Sequence, residues 1–299
     1  MISLGSNKQS PEFPRDVKDA VSKCRAAVQK ALGQRLSRMD VEFPVGTKFG
    51  VEKTSGKERK TAQGETPSRA VFETSDRELA RLFVEMFQPV GGENIAVVFT
   101  DESLADKARK SWRGDAGAAC LILSAGRRKS ASKNKKKPMG FAAKLAAEVD
   151  DDSYGPFSLP DNIEVTLFVA PGPKELLVVE KTCAKVGMGT LVVLLNARLS
   201  SFDNFGSPEA VRLFMQDFEP IFHLGAASQD AAPGCLLYRT YPSDWMMARK
   251  PKVGQPKVIM TQADRPSEED LRKAYESMKV GDLEKNVENA LENVAGWFS

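Results

Sequence analysis

Leu191-Val-Val-Leu-Leu-Asn-Ala-Arg-Leu199 decides the fold of this chain. Leu191 to Leu195 is apolar at every position, the pattern of a strand buried on both faces, and it breaks on Asn196 and Arg198. Upstream, Ile163 to Ala170 reads as a second strand. Pro173 to Val186 reads as a helix, with proline in its first turn and Gly187 placed to end it. The stretch 163–196 is therefore predicted as strand–helix–strand with parallel neighbours and a right-handed crossover. The theme recurs earlier: Asn94 to Thr100 is a short apolar strand, Ser103 to Trp112 is helical, and Ala118 to Ser124 is another strand. Short apolar strands alternating with amphipathic helices are the signature of βαβ units. The expected fold is α/β: a Rossmann-like three-layer sandwich on a mainly parallel sheet.

Towards the N-terminus, Pro14 to Gln34 carries Val17, Val21, Cys24, Val28 and Leu32 on one helical stripe. Met39, Val41 and Phe43 then alternate with polar residues, which predicts a half-buried strand. Residues 46–69 are rich in Gly, Lys and Thr and read as an exposed loop or hairpin. Ser75 with Glu78 forms a capping box that opens a helix burying Leu79, Leu82, Phe83 and Met86. Beyond Asn196, Ser207-Pro208 opens a helix burying Val211, Phe214 and Phe218. Ile221 to Leu224, Leu236 to Tyr241, Trp245 to Ala248 and Val258 to Met260 read as short strands extending the sheet antiparallel at one edge. Ser267 with Asp270 caps a closing helix, and Leu283 to Trp297 reads as another. The organisation expected is one α/β domain over 11–262 with a basic insertion at 126–158, followed by a helical segment at 263–299. Phe83, Val97, Leu121, Leu167, Val193 and Phe214 are its expected core.

With 41% hydrophobic and 28% charged residues, the composition is ordinary for a soluble globular protein. No run approaches the ~18 apolar residues of a membrane-spanning helix. Cys24, Cys120, Cys183 and Cys235 stand singly in apolar patterns, as reduced core thiols do, and no CxxC suggests zinc or a redox pair. His223 is the only histidine, which argues against His-rich metal sites. The net charge of +3 resides in one tract. Arg127, Arg128, Lys129, Lys133, Lys135, Lys136 and Lys137 account for seven of the 43 basic residues, and without them 36 basic face 40 acidic. Three readings stand for this tract: a solvated insertion, a docking segment for an anionic membrane or partner protein, or a nucleic-acid contact. It lacks the interleaved aromatics that stack on bases, which disfavours the last.

Phosphate motifs fail on context. Gly187-Met-Gly189 closes a helix and opens a strand, the reverse of a dinucleotide loop. Gly50 to Lys57 has one residue too many between its glycines for a P-loop, and Glu58 where Ser or Thr should follow. Pro171-Gly-Pro173 sits in a strand-to-helix turn where amides could meet an anion, although Pro173 removes one donor. Glu148, Asp150, Asp151 and Asp152 lack the spacing of a calcium loop and read as a solvated acidic turn.

Asn196 and Arg198 stand at the carboxyl end of a strand, where open α/β sheets bind ligands. Arg239, Tyr241 and Trp245 occupy an aromatic, proline-stopped corner, Leu236-Leu-Tyr-Arg-Thr-Tyr-Pro-Ser-Asp-Trp245. Two readings remain for these five: a ligand or partner site, or polar groups that close the sheet edge with Trp245 as packing. The order Asn196-x-Arg198, Arg239, Tyr241-Pro242, Trp245 resembles a domain-of-unknown-function family of cyanobacteria and plastids. That family includes the low photosystem II accumulation protein three and the C-terminal extension of a plastid adenylate kinase. The resemblance runs over roughly 11–262 and is weakest in the 46–69 loop and the basic insertion. It implies a non-enzymatic accessory or assembly factor for the photosynthetic apparatus, without cofactor. Such a factor would meet photosystem subunits at the stromal thylakoid face of the plastid, with peripheral membrane contact. Met1 to Gln9 has no transit-peptide character, so a plastid protein with this sequence would be a mature or trimmed form. The other class open to the residues is a Rossmann-like nucleotide or phosphate-ligand module or enzyme using Asn196, Arg198 and Arg239.

Overall fold

A computed structural model describes residues 12–50, 69–114, 116–126, 159–202, 205–249 and 256–278. In chain order the first elements are α1 (Val17–Gly33), β1 (Arg38–Glu42), α2 (Arg69–Phe87), β2 (Ile95–Phe99), α3 (Glu102–Ser111) and β3 (Leu121–Ser124). They are followed by β4 (Val165–Val169), α4 (Pro173–Val186), β5 (Leu191–Leu195) and the short α5 (Pro208–Arg212). The chain continues through β6 (Glu219–Ala226), β7 (Cys235–Thr240), β8 (Trp245–Arg249), β9 (Lys257–Gln262) and α6 (Glu268–Glu276). The described residues form two compact units, an inserted unit drawn from 80–216 and a split unit drawn from 1–79 and 217–299.

The inserted unit is Rossmann-like. Its four strands are parallel in the order β3-β2-β4-β5. β4 and β5 are adjacent, in register from Val165 opposite Leu191 to Val169 opposite Leu195, as the 163–196 reading predicts. Every residue of β2, β4 and β5 is buried. The expected core of Phe83, Val97, Leu167, Val193 and Phe214 is buried. Leu121 is only half-buried, a correction that follows from β3 being, among the described residues, the last strand of the order. Arg109 ties α3 to β3, donating to the Ile122 carbonyl at 2.7 Å and to Glu102 at 2.8 Å.

The split unit orders its strands β1-β6-β7-β8-β9, with β1 parallel to β6 and the rest antiparallel. Alternation gives its sheet two faces. Met39, Val41, Phe43, Phe222, Leu224 and Tyr238 share one, where Phe43 stacks on Phe222 at 4.7 Å and Phe13 lies 4.9 Å from Tyr238. Helix α1 packs on β6 and β7. The stripe it buries is Ala20, Cys24, Ala27, Val28 and Ala31, rotated from the predicted one, and Leu32 is exposed. Small side chains let the helix lie close to an aromatic-rich sheet. The opposite face holds Cys235, Leu237, Trp245 and Met247 against Leu271 of α6. Asp270 and Ser267 cap α6 reciprocally, as the sequence predicts.

Three further expectations are corrected. Helix α2 begins at Arg69 rather than Ser75, so Ser75 lies inside it and is buried, while Glu78 accepts from the Phe49 amide at 3.0 Å. α5 runs into a π-helical turn, Leu213–Asp217, whose wider winding shifts the helical phase. Phe214 stays buried and Val211 is left 43% exposed. In β1 both faces are covered, so Asp40, expected on a solvated face, is 2% exposed.

Candidate functional site

In the inserted unit, left-handed backbone gathers at the carboxyl ends of β4 and β5. Ala170 has φ 46°, Asn196 φ 53° and Arg198 φ 52°. Such geometry is uncommon outside glycine, although Asn tolerates it. It turns the chain off β5: Ala170 N–H donates to the Leu195 carbonyl at 2.8 Å, and the Ser201 amide and hydroxyl both donate to the Arg198 carbonyl, at 2.8 and 2.7 Å. Asn196 is buried and Arg198 half-buried.

The turn delivers Phe202 and Phe205 opposite the start of α4. Together with Pro173, Leu176, Leu177, Glu180, Gly206 and Phe214 they line a groove of about 350 Å³. Phe205 stacks on Phe214 at 5.4 Å and meets Phe202 edge-on at 6.1 Å. Glu180 is the one charged side chain among the described residues lining it. Leu177 leaves 49% of its surface exposed, and Met215, beside Phe214 in the π-turn, leaves 48%. The neighbouring Pro171-Gly-Pro173 turn is a poor anion site, because the Gly172 amide already donates to Glu175 Oε2 at 3.0 Å. Gly187 ends α4 with φ 58° and contributes no phosphate loop.

In the split unit, Arg239 lies with its guanidinium carbon 5.6 Å from the centre of the Trp245 ring. It donates to Glu219 at 2.7 Å, to the Pro220 carbonyl at 3.0 Å and to the Ser243 carbonyl at 3.2 Å. Arg265 approaches the same ring, at 5.1 Å. The Tyr241–Pro242 peptide is cis, and the Tyr241 hydroxyl donates to Gln34 Oε1. On the face shared with Trp245, His223 lies 5.0 Å from its ring and places Nδ1 3.4 Å from Glu42 Oε2. Gly225 sits beside this pair: a Cβ there would lie 3.4 Å from His223 Nε2 and 3.7 Å from Glu42 Oε1. Burial, then the neighbouring Glu42 carboxylate, pushes the Asp40 carboxyl up to about 7, against the opposing pull of Arg265.

The five predicted residues thus fall into two sets: Asn196 and Arg198 at the inserted unit's strand ends, and Arg239, Tyr241 and Trp245 at the split unit's corner. Arg239 and Trp245 touch, and Tyr241 turns instead to α1's end at Gln34. Sequence reasoning missed Asp40, Glu42, His223 and Arg265, as well as the groove. The Phe202, Phe205, Phe214 density was the available signal for the groove. The acidic turn at 148–152, the basic tract 127–137 and the helix read at 283–297 lie outside the described residues. All four cysteines are free and buried, and burial pushes the Cys120 thiol up to about 11, away from reactivity. Among the described residues no group of three His, Cys, Asp or Glu is placed to hold a metal, and no helix is long and apolar enough to cross a membrane.

A family model described as a domain of unknown function, DUF1995, matches residues 14–273. No curated protein and no solved structure matches the chain.

Proposed function

We propose, since the chain belongs to the DUF1995 family, that it is a non-enzymatic accessory or assembly factor of the photosynthetic apparatus. It acts by holding an apolar segment of a partner protein in the groove between α4 and the Phe202–Phe214 stretch. The groove carries this reading: aromatic rings, an exposed Leu177 and one carboxylate fit an apolar segment that bears a basic residue for Glu180. The resemblance of Asn196-x-Arg198, Arg239, Tyr241-Pro242 and Trp245 to the family that includes the low photosystem II accumulation protein three supports a photosystem subunit at the stromal thylakoid face as that partner. Affinity capture from solubilised photosynthetic membranes tests it, with Leu177→Asp as the comparison. Photosystem subunits retained by the wild type and lost from the variant support the reading. Their absence from both, or equal retention by both, overturns it.

A bound nucleotide or phosphate is the second reading, favoured by the left-handed residues at Asn196 and Arg198, because strained backbone concentrates where ligands bind. Arg239, the third residue named for such a ligand, already serves Glu219, Pro220 and Ser243. A stoichiometric nucleotide released from the native protein on denaturation decides for this reading.

A further inference from the structure

Asp40 occupies an odd position for a carboxyl group. Its Oδ1 is buried and, among the described residues, has no hydrogen-bond partner, and the carboxyl has one backbone donor, the Val41 N–H. It lies opposite Pro220, which has no N–H to offer, at the point where the β1–β6 register slips between Asp40 and Val41. The ladder is therefore weakest beside the most costly side chain in the strand. Among the described residues, the strands beside it and the segment past β9 carry the following charged groups. On β1 itself they are Glu42, two residues along, and Arg38, whose guanidinium donates to the Ser37 carbonyl at 2.7 Å. β6 carries Glu219 and His223, and β7 carries Arg239, which is bound to Glu219. Past β9, Arg265 is the cation whose field reaches Asp40, and it lies against Trp245.

We propose that Asp40 is a proton-binding switch in the sheet: protonated, it lets β1 and β6 pair, and ionised, it loosens the bulged end of that ladder. A buried carboxylate short of donors must either take up a proton or draw in water. Its shift supports this, since burial and Glu42 raise the carboxyl from an ordinary 3.8 to about 7. The sign follows. A raised acid contributes stability that is full below about 4 and is lost as pH rises through about 7. The device is thus tight in mild acid and loosened in mild alkali.

Asp40→Asn removes the proton while keeping the shape. Between pH 6 and pH 8 the folded-to-unfolded ratio of the wild type falls about tenfold relative to Asp40→Asn, as a group titrating near neutrality requires. Amide exchange at Glu42, beyond the register slip, speeds up over the same interval compared with the variant at the same pH. A carbon-detected NMR titration of the wild-type carboxyl keeps the test independent of how well the variant folds, and Glu42→Gln should move that midpoint down. An Asp40 midpoint near 4, or the same pH dependence in wild type and Asp40→Asn, overturns the proposal.

Discussion

β2, β4 and β5 of the inserted unit carry apolar side chains at every position except Thr166, whereas β1, β6 and β7 of the split unit interleave theirs with Asp40, Glu42, His223 and Arg239. The first set is buried throughout; in the second, Asp40 and His223 are buried while Glu42 and Arg239 are half-buried. The difference lies in what each core can tolerate. β2, β4 and β5 carry no charged side chain of their own to partner a new charge. The split unit already holds acids, a histidine and arginines around Trp245, so its interior has counter-charges and a polar network to absorb a change.

The largest effect that could break this contrast is Val193→Asp. Val193 is fully buried in the middle of β5, and an unpaired charge there costs several kcal/mol, a large part of the stability of a whole domain. The variant should fail to give soluble folded protein by circular dichroism, and normal unfolding would show that β5 is not enclosed on both faces. Next is Phe222→Ala. Phe222 stacks on Phe43 and meets Tyr238 edge-on at 5.9 Å, so truncation should cost about 3–5 kcal/mol in denaturant titration. A loss below ~1 kcal/mol would mean the aromatic face repacks.

Arg239→Ala sharpens the comparison on its polar side. It removes donors to Glu219 and to two backbone carbonyls, and about 1–3 kcal/mol should be lost. Double-mutant analysis with Glu219→Ala should show the two costs to be less than additive, and full additivity would show that the ion pair contributes nothing. The smallest effect on stability belongs to deletion of residues 127–137, a tract with seven positive charges and no apolar side chain larger than alanine. Thermal unfolding should be unchanged, and association with anionic vesicles should weaken and become less salt-sensitive. Equal vesicle binding by deletion and wild type at low salt would make the tract a passive insertion.

These contrasts also mark what was legible in the sequence. The β4–α4–β5 unit could be read because a strand buried on both faces declares itself by composition, and because Pro173 and Gly187 punctuate its helix. Asp40 could not, since alternation states that one face is apolar and leaves open whether the other is covered. The cation whose field reaches it, Arg265, comes more than two hundred residues downstream. Ser75 misled because Ser-x-x-Glu spacing is a local pattern, and Glu78 bonds instead to the amide of Phe49. Val211 misled because a π-turn changes the periodicity on which a burial reading depends. Of the site, the Asn196–Arg198 break was visible as an abrupt polar stop, and the groove was not, because Phe202 and Phe205 meet α4 only through the left-handed turn.

The pairing of β1 with β6 has a consequence for how the protein is born. The two strands are separated by about 180 residues of chain, all of which must be synthesised before the ladder can close. At the usual ~5–20 residues per second, β1 waits roughly ten to thirty-five seconds with Met39, Val41 and Phe43 uncovered, while the inserted unit has its whole sequence and can fold ahead of it. The order of events on the ribosome is thereby inverted for this stretch: the segment made first is completed last, and it is the one that needs shelter from a chaperone or an edge-pairing neighbour in the meantime.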